Sequence, residues 1–166
     1  MGAGKRPVSE AIEFFLKGPI SQWHPCVIDD DGTRYNCAEQ YMMAGKARLF
    51  GDNAMLARIM ACDSPYEQKL MGMRVRGFDD ELWIRHREEI VYQANWLKFS
   101  QNSGLAKKLL RTGDAILAEA NPQDVIWAIG LSADDPRAAD PGEWRGENLL
   151  GEILMRIRDR LRDEMA

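Results

Sequence analysis

Residues 31–50, DGTRYNCAEQYMMAGKARLF, decide how the chain is read. Asp31-Gly32 is a preferred dipeptide of two-residue hairpin turns. With Val27-Ile28 before it and Thr33-Arg34-Tyr35 after it, a strand-turn-strand unit is expected. Asn36 then offers an N-cap side chain for a helical stretch to about Phe50, and Glu39 stands three residues on, where a capping-box acid belongs. On a wheel of about 100° per residue, Met42, Met43, Leu49 and Phe50 form an apolar arc, with Gln40, Ala44 and Arg48 opposite. Glu39 and Lys46 fall inside the apolar arc. Nearly two turns apart, they share a face with backbones about 10 Å apart, a gap the size of a sugar.

A buried carboxylate or ammonium without a partner is destabilising by several kcal/mol, so two charges in an apolar stripe need a reason. One reading makes Glu39 a capping residue that reaches back to the Asn36 amide, and lets the Lys46 stem pack while its ammonium reaches water. The other makes the pair the wall of a ligand cleft. The spacing leaves both open.

Outward from this helix, Ile12, Phe14 and Leu16 alternate as in a short strand. A second helix is expected from Asp52, a third from Ser64-Pro65 to about Val75, and a long one from a cap at Asp79 or Asp80 to Phe99. Asn102-Ser103-Gly104 should end that element. Leu105–Arg111 reads as a short helix, Ala115–Ala118 as a strand and Val125–Ile129 as another. Residues 131–146, rich in Asp, Pro and Gly, form a long irregular connection of the sort that is functional or disordered. Leu150, Ile153, Leu154, Ile157 and Leu161 then mark an amphipathic terminal helix. Its charges Arg156, Arg158, Asp159, Arg160 and Arg162 are expected on the solvated face. The fold class is mainly α (α+β): a single compact helical domain over 11–166 with a few short N-terminal and central strands, preceded by a loose tail at 1–10.

The chain of 166 residues carries 45% hydrophobic and 29% charged residues with a net charge of −4, an ordinary soluble balance that argues against non-specific coating of nucleic acid. A local basic rim stays open. Cys26, Cys37 and Cys62 show no CxxC spacing, which supports neither a disulfide framework nor a metal site and fits the reducing cytoplasm. His24 and His86 lack metal or triad spacing and are read as structural. No metal and no cofactor are expected; GxGxxG, GxxxxGK and HExxH are all missing. Nor does any run reach the roughly 18 apolar residues of a membrane span.

Several stretches together carry a resemblance: FF at 14–15, ISQW at 20–23, DGTRYNCAEQYMMAGKA at 31–47, FDDELW at 78–83, KFSQN at 98–102, LLRTG at 109–113, EANPQDVIW at 119–127 and RGENLLGEILMRIRDRL at 145–161. In this order, the chain resembles the NADAR family, also called the YbiA-like N-glycosidases. The resemblance implies a mostly helical fold and cleavage of N-glycosidic bonds, with substrates that include ADP-ribose on guanine bases and intermediates of riboflavin biosynthesis. It matches the family's essential glutamate to Glu39 and the lysine later on the same helix to Lys46. It also matches the family's tryptophan to Trp83, its Asp-x-x-Trp to Asp124 and Trp127, and its Gly-x-Asn-x-Leu-Gly to Gly146, Asn148, Leu150 and Gly151. The chain departs from the pattern at Gln22, Gly45, Met73, Ala94 and Ala128. A methyl at 128 is expected to narrow the space beside Trp127 or to forbid a positive φ.

Loss of a base from ribose C1′ develops positive charge on the sugar, so it calls for a nearby anion and a proton for the leaving nitrogen. Glu39 and Asp124 are suitable carboxylates. The resemblance implies a second route in which Lys46, as a neutral amine, forms a Schiff base with ring-opened ribose while Glu39 moves protons. Trp83 and Trp127 are candidates to stack on a base, Glu119 to bind ribose hydroxyls, and Arg145 to meet a pyrophosphate. Asn148, with Gly151, opens the terminal helix, whose free amides are candidates for a phosphate. The expected partner is an ADP-ribose-type nucleotide, free or on DNA or RNA; a non-catalytic ADP-ribose-binding module is the competing class.

Overall fold

A computed structural model describes residues 11–166; the tail expected at 1–10 lies outside the described residues. The order is β1 (Ile12–Phe15), β2 (Ile28–Asp30), β3 (Thr33–Tyr35), α1 (Ala38–Leu49), α2 (Asn53–Met60), α3 (Pro65–Gly72), α4 (Asp80–Gln101), α5 (Ser103–Arg111), β4 (Ile116–Glu119) and α6 (Leu149–Met165). This is the mainly helical α+β architecture expected. β2 and β3 form the antiparallel hairpin, and Asp31 and Gly32 carry the positive φ values, 52° and 91°, that a type I′ turn requires. β1 pairs in parallel with β4, with Ile12 opposite Ile116 and Phe15 opposite Glu119.

α1 runs through the middle of the molecule, packed by α2, α3 and α4, while α6 closes the far side against α4 and β4. Two expectations about α1 are corrected. Its cap is Cys37, whose Sγ accepts the Gln40 amide at 3.4 Å, because Asn36 uses its side chain between Asp63 O and Gln68 Nε2. Gln40 and Ala44, expected on the outer face, are buried, since helices pack on both sides of α1 and no wide solvent face remains. The buried amide of Gln40 is fully used: Nε2 reaches the carbonyls that end α2, including Ile59 O at 3.1 Å. Gly45 fits the same crowding, for a Cβ there would sit 2.9 Å from the Ile90 side chain of α4.

The caps at Asp52, Ser64 and Asp79 form as expected. The long helix α4 ends at Gln101 with Asn102 as its cap, as expected, and α5 begins at Ser103, two residues before the expected Leu105. Arg158 is also corrected: it is 4% exposed and donates to Thr112 Oγ1 at 2.8 Å instead of facing solvent. Residues 131–146 hold two short 3-10 turns capped by Asp135 and Asp140, and Trp144 pins them by donating to Ala138 O at 2.8 Å. Among the described residues no helix is long and apolar enough to cross a membrane.

Val125–Ile129 is not a strand. Its carbonyls at 125, 126, 127 and 128 accept the amides of Glu147, Leu149, Leu150 and Asn148, so the segment folds over the start of α6 and has no ladder partner. Asp124 nucleates the turn, its Oδ1 accepting the amides of Ile126 and Trp127, both at 2.9 Å.

Candidate active site

Glu39 lies in the first turn of α1 and is 6% exposed. The capping role open to it in the sequence is taken by its neighbour: Gln40 Oε1 accepts the Asn36 amide at 2.7 Å. Glu39 is thereby left with its carboxyl in the interior. Burial pushes that carboxyl up to about 7; the field of Asp124 adds to the rise, and Lys69, a hydrogen bond from the Trp23 side chain and Lys46 oppose it.

Glu119, at the end of β4, is pushed up to about 7 by burial and then by the charges of Asp124 and Glu39. Its Oε2 is buried without a hydrogen-bond partner. Three carboxyls from α1, β4 and the loop after β4 thus sense one another. Lys69, on α3, is the first cation whose field reaches Glu39.

Lys46 is half-buried, and its Nζ lies 4.7 Å from the Phe78 ring centroid and 5.4 Å from that of Trp83. Burial between these rings lowers its pKa, against the pull of Glu39. The apolar arc read from the sequence therefore does hold both charges, with an acid made weaker and an amine made less basic by the same dry surroundings.

Trp83 is buried at the start of α4, one turn before Arg87, whose guanidinium carbon lies 5.9 Å from the Trp127 ring centroid. Trp127 is half-buried and sits in the turn that Asp124 nucleates. Ala128 is fully buried, and its φ is not positive, so its methyl imposes no backbone strain there.

Other expected site residues go elsewhere. Asn148 is 1% exposed and works as a brace: at φ 53° its Oδ1 accepts the Glu119 amide at 3.1 Å and its Nδ2 donates to Leu117 O at 2.9 Å. Of the amides at the start of α6, those of Asn148, Leu149 and Leu150 already donate to loop carbonyls. At Gly151 any side chain would overlap the Leu117 carbonyl and the Asn148 amide, so this glycine serves close packing of α6 on β4. Arg145 is exposed, and its charge acts on Asp135. Asn148 and Gly151 nevertheless fix the backbone of Glu119.

Several residues near the carboxyls escaped the sequence reading. Trp23 and Tyr66, both exposed, meet edge to face with centroids 6.3 Å apart. The loop carrying Trp23 is held from below: Lys98, wholly buried, donates to Ser21 O at 2.8 Å, Asn95 Nδ2 reaches Gln22 Oε1 at 2.7 Å, and the Glu39 amide donates to Gln22 O at 3.0 Å. Phe78 and Arg87 had usable signals, an aromatic in a polar stretch and a cation one turn from Trp83. Lys69 had none, since only the packing of α3 on α1 brings it in. Two surface concavities, about 540 Å³ beside Cys62 and Glu67 and about 450 Å³ beside β1, contain none of these carboxyls.

Comparison with known proteins agrees with this architecture. The NADAR domain profile matches residues 14–162. An N-glycosidase of Acanthamoeba polyphaga mimivirus is 44% identical over 145 residues, covering 84% of this chain and 85% of the viral protein. A riboflavin biosynthesis protein of Vibrio vulnificus is 28% identical over 146 residues, 88% of this chain and 36% of that longer protein. The NMR structure of E. coli YbiA superposes with a TM-score of 0.76 at 28% identity, covering 94% of this chain and 88% of that one. The chain belongs to the NADAR domain family.

Proposed function

We propose that this protein removes ADP-ribose from guanine, in a nucleotide or in nucleic acid, by cleaving the N-glycosidic bond at a site built from Glu39, Lys46 and Asp124. At the coarser level, the chain is an N-glycosidase, a hydrolase acting on N-glycosyl compounds, as are relatives matched over most of its length. That match favours catalysis over a binding module. The observation that carries the site assignment is Glu39 itself: a buried carboxyl freed from capping by Gln40, raised to about 7 and facing the same interior as a lysine of lowered pKa.

Such a pair suits a Schiff-base route. Opening of the ribose ring leaves C1″ doubly bonded to the base nitrogen, with the ring oxygen protonated from Glu39. The neutral Lys46 amine adds to C1″; the base nitrogen then takes a proton and departs, and lysine holds the sugar as an imine. Water adds to that imine, the C–N bond to lysine breaks, and the sugar closes with its protons balanced through Glu39. Asp124 and Glu119 supply further carboxyls whose ionised forms favour developing positive charge at C1″. Trp83 and Trp127 supply flat apolar faces for the base.

A second substrate reading, riboflavin-pathway intermediates, is favoured by the Vibrio vulnificus relative's name. Incubating the protein separately with ADP-ribosylated guanosine and with those intermediates, and following free base by chromatography, tests both. Release of guanosine from the first supports the proposal. Release only from the second transfers the activity to that class, and release from neither contradicts both.

A further inference from the structure

Arg87 has almost no partner for a group that cannot lose its charge. Its side chain is 12% exposed, its Nε is buried with no hydrogen bond, and the nearest carboxylate oxygen, on Glu147, lies 3.7 Å from Nη2. Glu147 is itself 60% exposed, so its carboxylate is largely spent on water. The guanidinium carbon lies over the Trp127 ring, 5.9 Å from its centroid. Burying a guanidinium while leaving a donor empty is unfavourable unless something else fills it, and the planar fork of arginine matches the oxygens of a phosphate.

The other groups expected to meet a phosphate are less suited to hold one. The amides of Asn148, Leu149 and Leu150 donate to the 126–128 carbonyls, and Arg145 is an exposed side chain in the loop before α6. Arg158 also has an empty Nε, but its Nη1 is bonded to Thr112 and it stands beside Asp114 and Asp159, away from the carboxyls. Arg87 instead follows Trp83 by one turn of α4 and lies over the Trp127 ring. The site's three carboxyls would repel a phosphate, which makes a cation placed at one end necessary for a phosphorylated substrate to bind in one direction.

We infer that Arg87 is a substrate-binding residue that holds a phosphate group of the ribosyl substrate beside Trp127, with Glu147 as a weak occupant that the phosphate displaces. This deepens the N-glycosidase reading and rests on it. The chemistry, a phosphate ester on ribose, is common to a diphosphate such as ADP-ribose and to a monophosphate.

The test is calorimetry with ADP-ribose, ribose 5-phosphate and adenosine on the wild type and on Arg87→Gln, Arg87→Lys and Glu147→Gln. For whichever phosphorylated ligand the wild type binds, Arg87→Gln weakens binding 10-fold or more, Arg87→Lys weakens it less, and adenosine affinity is unchanged. Glu147→Gln, at an exposed position that does not threaten folding, tightens the phosphorylated ligand 2-fold or more. Equal affinity of wild type and Glu147→Gln, or equal affinity of wild type and Arg87→Gln, overturns the role of Arg87 while leaving the glycosidase reading intact. No binding of either phosphorylated ligand to the wild type, with base release still occurring, also overturns it. Absence of both binding and base release sinks the parent reading.

Discussion

Gln40 Oε1 accepts the backbone amide of Asn36 at 2.7 Å, and by doing so relieves the adjacent Glu39 of the capping duty. The same side chain donates to carbonyls at the end of α2. One amide therefore finishes two helix ends, and its loss removes the acceptor of the Asn36 amide and a donor to the carbonyls that end α2. Gln40→Ala is expected to lower stability by about 2–4 kcal/mol, read by urea denaturation. A loss below about 0.5 kcal/mol would mean that Gln40 does not free Glu39 from capping.

Glu39 and Glu119 are both raised to about 7, above the 4.5 of an exposed glutamate. The folded state thus binds these protons more tightly than the unfolded chain. Stability from them is fully present below about pH 4.5 and is lost as pH rises towards 7. Glu39→Gln, which mimics the protonated acid, should be more stable than wild type above pH 7 by on the order of 1–3 kcal/mol, with a flatter pH profile of the denaturation midpoint. A variant less stable than wild type at pH 8 would contradict a buried acid.

Asn148 and Gly151 are expected to affect stability first and activity through Glu119. Asn148→Ala removes two hydrogen bonds to β4 and places alanine at φ 53°, which should lower stability by about 2–4 kcal/mol. Gly151→Ala is more damaging because its methyl meets the Leu117 carbonyl. Thermal denaturation checks both; unchanged melting of either would return these positions to the role of phosphate ligands.

The proposed Schiff base on Lys46 predicts an intermediate that borohydride can trap. Borohydride added during turnover should give a protein with the mass of one reduced sugar, and peptide mapping should place the adduct at Lys46. Burial of Lys46 between Phe78 and Trp83 lowers its pKa, so labelling should persist at neutral pH. An adduct on Lys69 instead would move the nucleophile to that residue, and no adduct while base is released would favour direct attack of water.

What the sequence made legible was local. The Asp31-Gly32 hairpin, the caps at Asp52, Ser64 and Asp79 and the heptad-like stripe of α6 depend on neighbours within a few residues, and each forms. The misreadings are tertiary. Gln40 and Ala44 looked exposed because a helical wheel assumes one buried face, whereas α1 is enclosed on several sides. Val125–Ile129 has the composition of a strand, but the start of α6 takes its carbonyls. The two charges at 39 and 46 were visible as a conflict between charge and pattern, while Lys69 and Trp23 come near Glu39 only through the packing of α3 and the 18–24 loop.

The central claim is that Glu39 and Lys46 carry out the cleavage, and single-turnover release of guanosine from ADP-ribosylated guanosine tests it most directly. With folding confirmed by circular dichroism, Glu39→Gln and Lys46→Ala should each slow release by 100-fold or more at pH 7. Release by both folded variants within a few-fold of the wild-type rate would contradict the account.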